Sequence, residues 1–222
     1  MEVEIKFDFP EEKVFFEALS LFPGDRIVEN QRNIMLIDVD KKMHEKKISL
    51  RLRRTDNCNY ITVKHSPQLI DGNDVADLIE KDPNNILDVK CEPIDVLKEL
   101  VPSIGMIENF GNFVTQRTKV KWECNISSTQ SCSQSSSAVA EKAEDETLQL
   151  TLEFDKSTFP TYMWYQLEIE TTIPEKVKPI IEEKFKTASI PYSMGTTSKM
   201  LMFMQSLEQL RKENLGEEKK DE

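Results

Sequence analysis

Polar and apolar positions alternate most regularly at the start of the chain, in Met1-Glu2-Val3-Glu4-Ile5-Lys6. At the strand period of two, Glu2, Glu4 and Lys6 share one face, while Val3, Ile5 and then Phe7 share the other. The same alternation recurs in Gln166-Leu167-Glu168-Ile169-Glu170. Basic versions occur in Leu50-Arg51-Leu52-Arg53, Tyr60-Ile61-Thr62-Val63-Lys64 and Arg117-Thr118-Lys119-Val120-Lys121-Trp122. Strands that each carry a row of one charge sign are poorly explained by solvation alone.

Between these strands the pattern changes period. Pro10-Glu11-Glu12 opens a helix, because proline is favoured in the first turn and acids oppose the positive end of the helix dipole. Val14, Phe15, Ala18, Leu19 and Phe22 follow at helical spacing up to Pro23-Gly24. A strand is expected over 33–39, a solvated lysine-rich turn over 41–47, and a hairpin from 48–54 and 59–65 across Thr55-Asp56-Asn57. Short helices are expected over 74–81 and 93–101, and one or two strands over 107–124. Strands over 147–155 and 163–171 precede a helix over 174–187, weakened by Pro179, and a last helix over 197–212. That last helix carries Met200, Leu201, Phe203, Met204, Leu207 and Leu210, a stripe that reads as core packing.

Residues 125–146 are rich in serine and then in acid, with hardly a large hydrophobe, and read as a long mobile loop inserted in a hairpin. The expected organisation is one domain over residues 1–212, with 213–222 a disordered charged tail. The fold class is α+β: an antiparallel sheet of about eight strands closed into a barrel with a charged interior, its apolar outside covered by helices.

Composition narrows the function. The 222 residues suffice for one sizeable core, and 40 acidic residues against 29 basic ones give a net charge of −11. An acidic protein is a poor non-specific ligand for nucleic acid, so the one nucleic-acid partner kept open is an RNA 5′ end. The four cysteines, Cys58, Cys91, Cys124 and Cys132, include no Cys-x-x-Cys pair and indicate neither zinc nor a disulfide framework. A cytoplasmic monomer is expected, with no membrane partner. His44 and His65 are the only histidines, and each reads as a surface residue.

Burying a row of unpaired charges costs several kcal/mol per charge, so a charged interior requires a charged filling. Carboxylates from the first and the two late strands offer hard oxygens to Mg²⁺ or Mn²⁺. Arginines and lysines from the middle strands suit phosphate oxygens. A metal-chelated oligophosphate satisfies both sets.

In order along the chain, Glu2-x-Glu4-x-Lys6, Arg51-x-Arg53, Lys64, Phe113-Val114-Thr115-Gln116-Arg117, Leu152-Glu153-Phe154-Asp155, Glu168-x-Glu170 and Ser198-Lys199 resemble the CYTH, or triphosphate tunnel metalloenzyme, superfamily. Within it the chain looks most like the thiamine triphosphatases. The resemblance implies metal ligation by Glu2, Glu4, Glu153, Asp155, Glu168 and Glu170. It implies substrate binding by Lys6, Arg51, Arg53, Lys64, Arg117, Lys119, Lys121 and Lys199, with Glu2, Glu4, Lys6 and Glu170 as the catalytic set. Two positions depart from the pattern: Leu36-Ile37 stand where an aromatic pair often precedes the aspartate matching Asp38, and Ser49 stands where animal thiamine triphosphatases tend to carry tryptophan.

The function these residues imply is metal-dependent hydrolysis of the terminal phosphate of a small-molecule triphosphate, with thiamine triphosphate the best single reading. Inorganic tripolyphosphate and RNA 5′-triphosphate ends are the nearest alternatives. A non-catalytic module that binds polyphosphate or an organic triphosphate is the alternative of another class; it would keep the cations and lose the carboxylates, and here both sets are present.

Overall fold

The computed structural model describes residues 3–56, 58–65, 68–73, 83–126 and 146–217. Glu2, the helix expected over 74–81 and the serine-rich stretch 127–145 lie outside the described residues. In chain order the first elements are β1 (Val3–Phe9), α1 (Glu12–Ser20), β2 (Arg26–Asp38), α2 (Lys42–Glu45), β3 (Ile48–Arg54), β4 (Asn59–His65) and β5 (Gln68–Asn73). A 3-10 helix (Pro83–Asp88) leads to α3 (Glu92–Leu100), β6 (Ile107–Ile126), β7 (Glu146–Thr158) and β8 (Met163–Thr171). The last elements are α4 (Pro174–Thr187), β9 (Ser193–Met194) and α5 (Lys199–Glu217).

The chain forms two compact units. One comprises Met1–Val28, Thr118–Asp155 and Trp164–Thr196; the other comprises Glu29–Arg117, Lys156–Met163 and Thr197–Glu222. In the first, β1 alternates as its sequence predicts, with Ile5, Phe7 and Phe9 buried. Helices α1 and α4 cover that face through Val14, Phe15, Ala18 and Leu19 and through Val177, Ile181 and Phe185. The aromatic rings meet edge to face, Phe7 and Phe185 with centroids 5.3 Å apart and Phe22 and Trp122 5.2 Å apart. Pro23-Gly24 ends the region of α1, and Gly24 is required there: its φ is +150°, and a Cβ would stand 2.5 Å from the Lys121 carbonyl oxygen.

In the second unit β3 pairs antiparallel with β2 and β4, and β4 with β5. Leu50, Leu52, Ile34, Leu36, Ile61 and Val63 form its apolar face, packed with Ile94, Leu97 and Val101 of the α3 region. A smaller aromatic group closes over β6, with Phe113, Phe159 and Phe203 in mutual contact. Of the expected α5 stripe only Phe203 is fully buried; Leu201 and Met204 are exposed and Met200, Leu207 and Leu210 half-buried, so the helix packs by a narrower face than its sequence suggests. Ser198 caps this helix by accepting a hydrogen bond from the Leu201 N–H at 3.2 Å, and the helix continues five residues beyond the expected end at Lys212, to Glu217.

Several expectations are corrected. The sheet is not closed into a barrel: its order is β5-β4-β3-β2-β6-β7-β8-β1-β9, with β5 and β9 as its two ends. Closure needs both edge strands to pair along their length, and β9 offers only two residues, opposite Phe7 and Asp8. Strand β2 begins at Arg26, not near 33; exposed Ile27 and Val28 break the alternation that would have signalled it. The one or two strands expected over 107–124 are a single strand of 20 residues, Ile107–Ile126, in agreement with that expectation. Strands β5 and β9 were not expected.

The lysine-rich stretch 41–47 is not simply a solvated turn. Asp38, buried at 2 % exposure, accepts hydrogen bonds from the N–H groups of Lys42 at 2.6 Å and Met43 at 3.0 Å, and Met43 is buried. The ammonium groups of Lys42 and Lys46 donate to the carbonyls of Ser103 and Leu100, where α3 ends and cations are favoured. Among the described residues no helix is long and apolar enough to cross a membrane.

Replacing Asp38 with alanine leaves the buried Met43 N–H and the half-buried Lys42 N–H without their acceptor and should cost about 1–3 kcal/mol in urea denaturation. Asp38→Asn, which keeps one acceptor oxygen, should cost less. Equal losses would show that the carboxylate acts through its charge.

Candidate active site

The carboxylate-rich cluster is built by one pair of strands. Antiparallel register sets Glu4 opposite Glu170, Lys6 opposite Glu168 and Asp8 opposite Gln166, all on the face turned away from Ile5, Phe7, Leu167 and Ile169. Three glutamates on adjacent positions of two strands would repel one another if left alone. The Lys6 ammonium lies 2.9 Å from Glu4 Oε2 and 3.5 Å from Glu168 Oε1. Burial pulls the Lys6 amine downward, but the charges of Glu168 and Glu4 and the hydrogen bonds to them outweigh it and hold the amine above its usual value. Glu168 is 6 % exposed, whereas Glu170 is open to solvent.

The cluster continues through three residues that the sequence did not mark as part of the site, Asp8, Gln166 and Gly195. Gln166, 1 % exposed, donates from Nε2 to Asp8 Oδ1 at 2.7 Å. Gly195, just after β9, donates its N–H to the Lys6 carbonyl at 2.9 Å. A Cβ at Gly195 would stand 2.7 Å from the Lys6 Cβ and 3.0 Å from both Asp8 Oδ1 and Gln166 Nε2, so only glycine lets the chain pass this close. Asp8 and Gln166 were legible in principle, since each extends the charged alternation by one step. Gly195 carries no such signal, because its neighbours come from β1 and β8.

In the same unit Lys119 Nζ lies 3.9 Å from Glu153 Oε1, Asp155 is fully buried, and Lys121 is exposed. Among the described residues no three acidic, histidine or cysteine side chains converge on one point as a metal cage would. The donor chemistry nonetheless fits a hard divalent cation, since Glu4, Glu168 and Glu170 offer oxygens from neighbouring positions of one ladder.

The basic cluster belongs to the other unit and uses the same device with the opposite sign. Across β2, β3 and β4 the register aligns Asn33 with Arg53 and Tyr60, Met35 with Arg51 and Thr62, and Ser49 with Lys64. Arg53 Nε donates to Asn33 Oδ1 at 3.0 Å, and Arg51 donates to Thr62 Oγ1 at 3.3 Å. Both guanidinium groups are thus oriented by neighbours, while Lys64 is exposed. On β6, Phe113, Thr115 and Arg117 all turn inward, and the Thr115 hydroxyl shares a 2.9 Å hydrogen bond with Ser157. Lys199 opens α5, directly after its cap. The structure therefore groups Glu4, Lys6, Glu168 and Glu170 in one unit, and Arg51, Arg53 and Lys64 in the other.

Residues 1–200 match the model of the CYTH domain, and the chain belongs to that family. Solved structures share its fold. A candidate adenylyl cyclase from Hippeastrum, described as having a dominant triphosphatase activity, is 21% identical with a TM-score of 0.71, over 92% of this chain and 96% of that one. A candidate adenylate cyclase from Bacillus halodurans is 22% identical with a TM-score of 0.58, over 91% and 97% of the two chains. The PH1819 protein from Pyrococcus horikoshii is 17% identical with a TM-score of 0.55, over 94% and 99%. No curated protein matches the chain.

The Lys6 ion pairs predict a specific pH dependence of stability. Because the folded-state amine titrates above its ordinary value, its stabilisation is fully present below about pH 10.4 and fades as pH rises through the folded value. Lys6→Met should therefore unfold at lower urea than the parent at pH 7 to 9, with the gap narrowing above about pH 10.5. A gap that stays constant to pH 11.5 would assign the loss to packing.

Proposed function

We propose that the chain is a metal-dependent hydrolase that removes the terminal phosphate of a small-molecule triphosphate, with thiamine triphosphate as the first substrate to test. Membership of the CYTH family supports triphosphate hydrolysis in general. The observation that carries the reading is the Glu4, Lys6, Glu168 and Glu170 ladder, which retains the carboxylates that a mere polyphosphate-binding module would not need.

In this proposal Glu4, Glu168 and Glu170, with Glu153, Asp155 and Glu2, hold Mg²⁺ or Mn²⁺, which when bound would screen the phosphate charges and activate water. Arg51 and Arg53, already held by Thr62 and Asn33, present their forks to phosphate oxygens. Lys64, Arg117, Lys119, Lys121 and Lys199 add positive charge, and Lys6 offers its ammonium to a phosphate oxygen beside the carboxylates. Water attacks the terminal phosphorus in line, the bridging P–O bond breaks, and a diphosphate and inorganic phosphate leave. A cytosolic monomer completes the proposal, in keeping with the free thiols of Cys58, Cys91 and Cys124.

A second substrate is favoured by one position. Ser49, half-buried opposite Lys64, offers no aromatic surface to an organic base, which suits inorganic tripolyphosphate.

Phosphate release from thiamine triphosphate and tripolyphosphate should require added Mg²⁺ or Mn²⁺ and stop in excess chelator; undiminished turnover in EDTA would refute the metal mechanism. Glu170→Gln should keep the fold, since the residue is exposed, and lower turnover by roughly 100-fold or more. A Gln variant with parental activity would remove Glu170 from the site.

A further inference from the structure

The polar face of β2, β3 and β4 ends in an aromatic ring that the phosphate chemistry does not use. Register places Tyr60 directly opposite Arg53, itself opposite Asn33, at the end of a ladder that runs from Ser49 and Lys64 through Arg51 and Thr62. Successive rungs on one face are about 6.8 Å apart, so these three rungs span about 14 Å. A triphosphate gripped by Arg51 and Arg53 is shorter than this ladder, so a group esterified to it and lying along the ladder reaches one of the two ends. At the Ser49 end it meets a hydroxymethyl group, and at the other end it meets a phenol ring.

The ring is also held. Tyr60 is half-buried, and its hydroxyl donates to Cys58 Sγ at 3.2 Å, across the turn in which the Cys58 N–H donates to Thr55 Oγ1 at 3.1 Å. A phenol fixed at both its backbone and its hydroxyl loses little entropy when a flat group packs on it. Among the described residues of these three strands Tyr60 is the one aromatic side chain on the polar face, which also carries Glu29.

We propose that Tyr60 is a specificity-determining residue, the stacking platform for the heteroaromatic group of an organic triphosphate whose phosphates are held by Arg51 and Arg53. The inference rests on the reading of these arginines as phosphate ligands. It assigns to Tyr60 the contact that Ser49 does not make, and it makes the preferred substrate organic. A neutral nucleobase and a cationic thiazolium differ here: both stack on a phenol face, but the Glu29 carboxylate beside Tyr60 attracts a cation and the Arg53 guanidinium opposes it.

The test compares the parent, Tyr60→Phe and Tyr60→Ala with thiamine triphosphate, ATP and tripolyphosphate, measuring kcat and KM and, by calorimetry, equilibrium binding of each compound. Tyr60→Ala is expected to raise KM and the dissociation constant about fivefold to tenfold for the preferred organic triphosphate, with kcat and every tripolyphosphate value within twofold. Tyr60→Phe keeps the ring and should stay close to the parent for all three compounds. The organic compound that loses affinity identifies the base. Equal losses for tripolyphosphate and the organic compounds, or no loss for either organic compound, overturn the platform. If no compound is hydrolysed and selective loss of binding persists, the hydrolase reading fails and the platform stands.

Discussion

Glu4 and Glu170 stand directly across from each other on paired strands, with Glu168 one step further along, and a cation among them eases the repulsion of such a row. Lys6 is that cation. It is supplied by the same strand that supplies Glu4, and its position opposite Glu168 lets one ammonium answer two carboxylates. The apolar backs of these residues are what hold them there. Ile5, Phe7, Leu167 and Ile169 are buried under α1 and α4, and a slip of one residue would send all four to the polar side. The charged face is therefore a consequence of the core beneath it, and its register is as secure as that core.

The second unit solves the opposite problem with the same geometry. Arg51 and Arg53 occupy alternate positions whose neighbours, Leu50 and Leu52, are fully or almost fully buried, so the guanidinium groups have no choice of face. What differs is how they are steadied. The hydroxyl of Thr62 accepts from Arg51 and the amide oxygen of Asn33 accepts from Arg53, so a neutral neighbour on the same face orients each guanidinium. The Glu, Lys and Gln ladder of one unit and the Arg, Asn and Thr ladder of the other are thus built by the same register rule with charges of opposite sign.

Where local reading misled, the cause was distance along the chain. Lys41, Lys46 and Lys47 are exposed as expected, but nothing near them in the sequence shows that Lys42 and Lys46 also reach the carbonyls of Ser103 and Leu100, more than 50 residues away. Gly195 looks ordinary until β9 is laid beside β1, where its missing Cβ is what lets Lys6, Asp8 and Gln166 approach. Closure of the sheet was inferred from strand number and face, but it depends on how much edge the terminal strands present, and β9 is two residues long. No local pattern encodes that quantity.

The sequence by itself determined which residues share a face, because a strand's period of two is a property of the backbone and needs no partner. Glu4 and Lys6, Arg51 and Arg53, and Glu168 and Glu170 could be grouped on that basis alone, and the buried positions between them agree. Only the tertiary structure decided which groups meet across strands, because pairing register is set by packing between distant segments. It set Glu4 against Glu170, brought the Lys6 ammonium to two carboxylates, joined Gln166 to Asp8, placed Tyr60 opposite Arg53, and left the sheet open between β5 and β9.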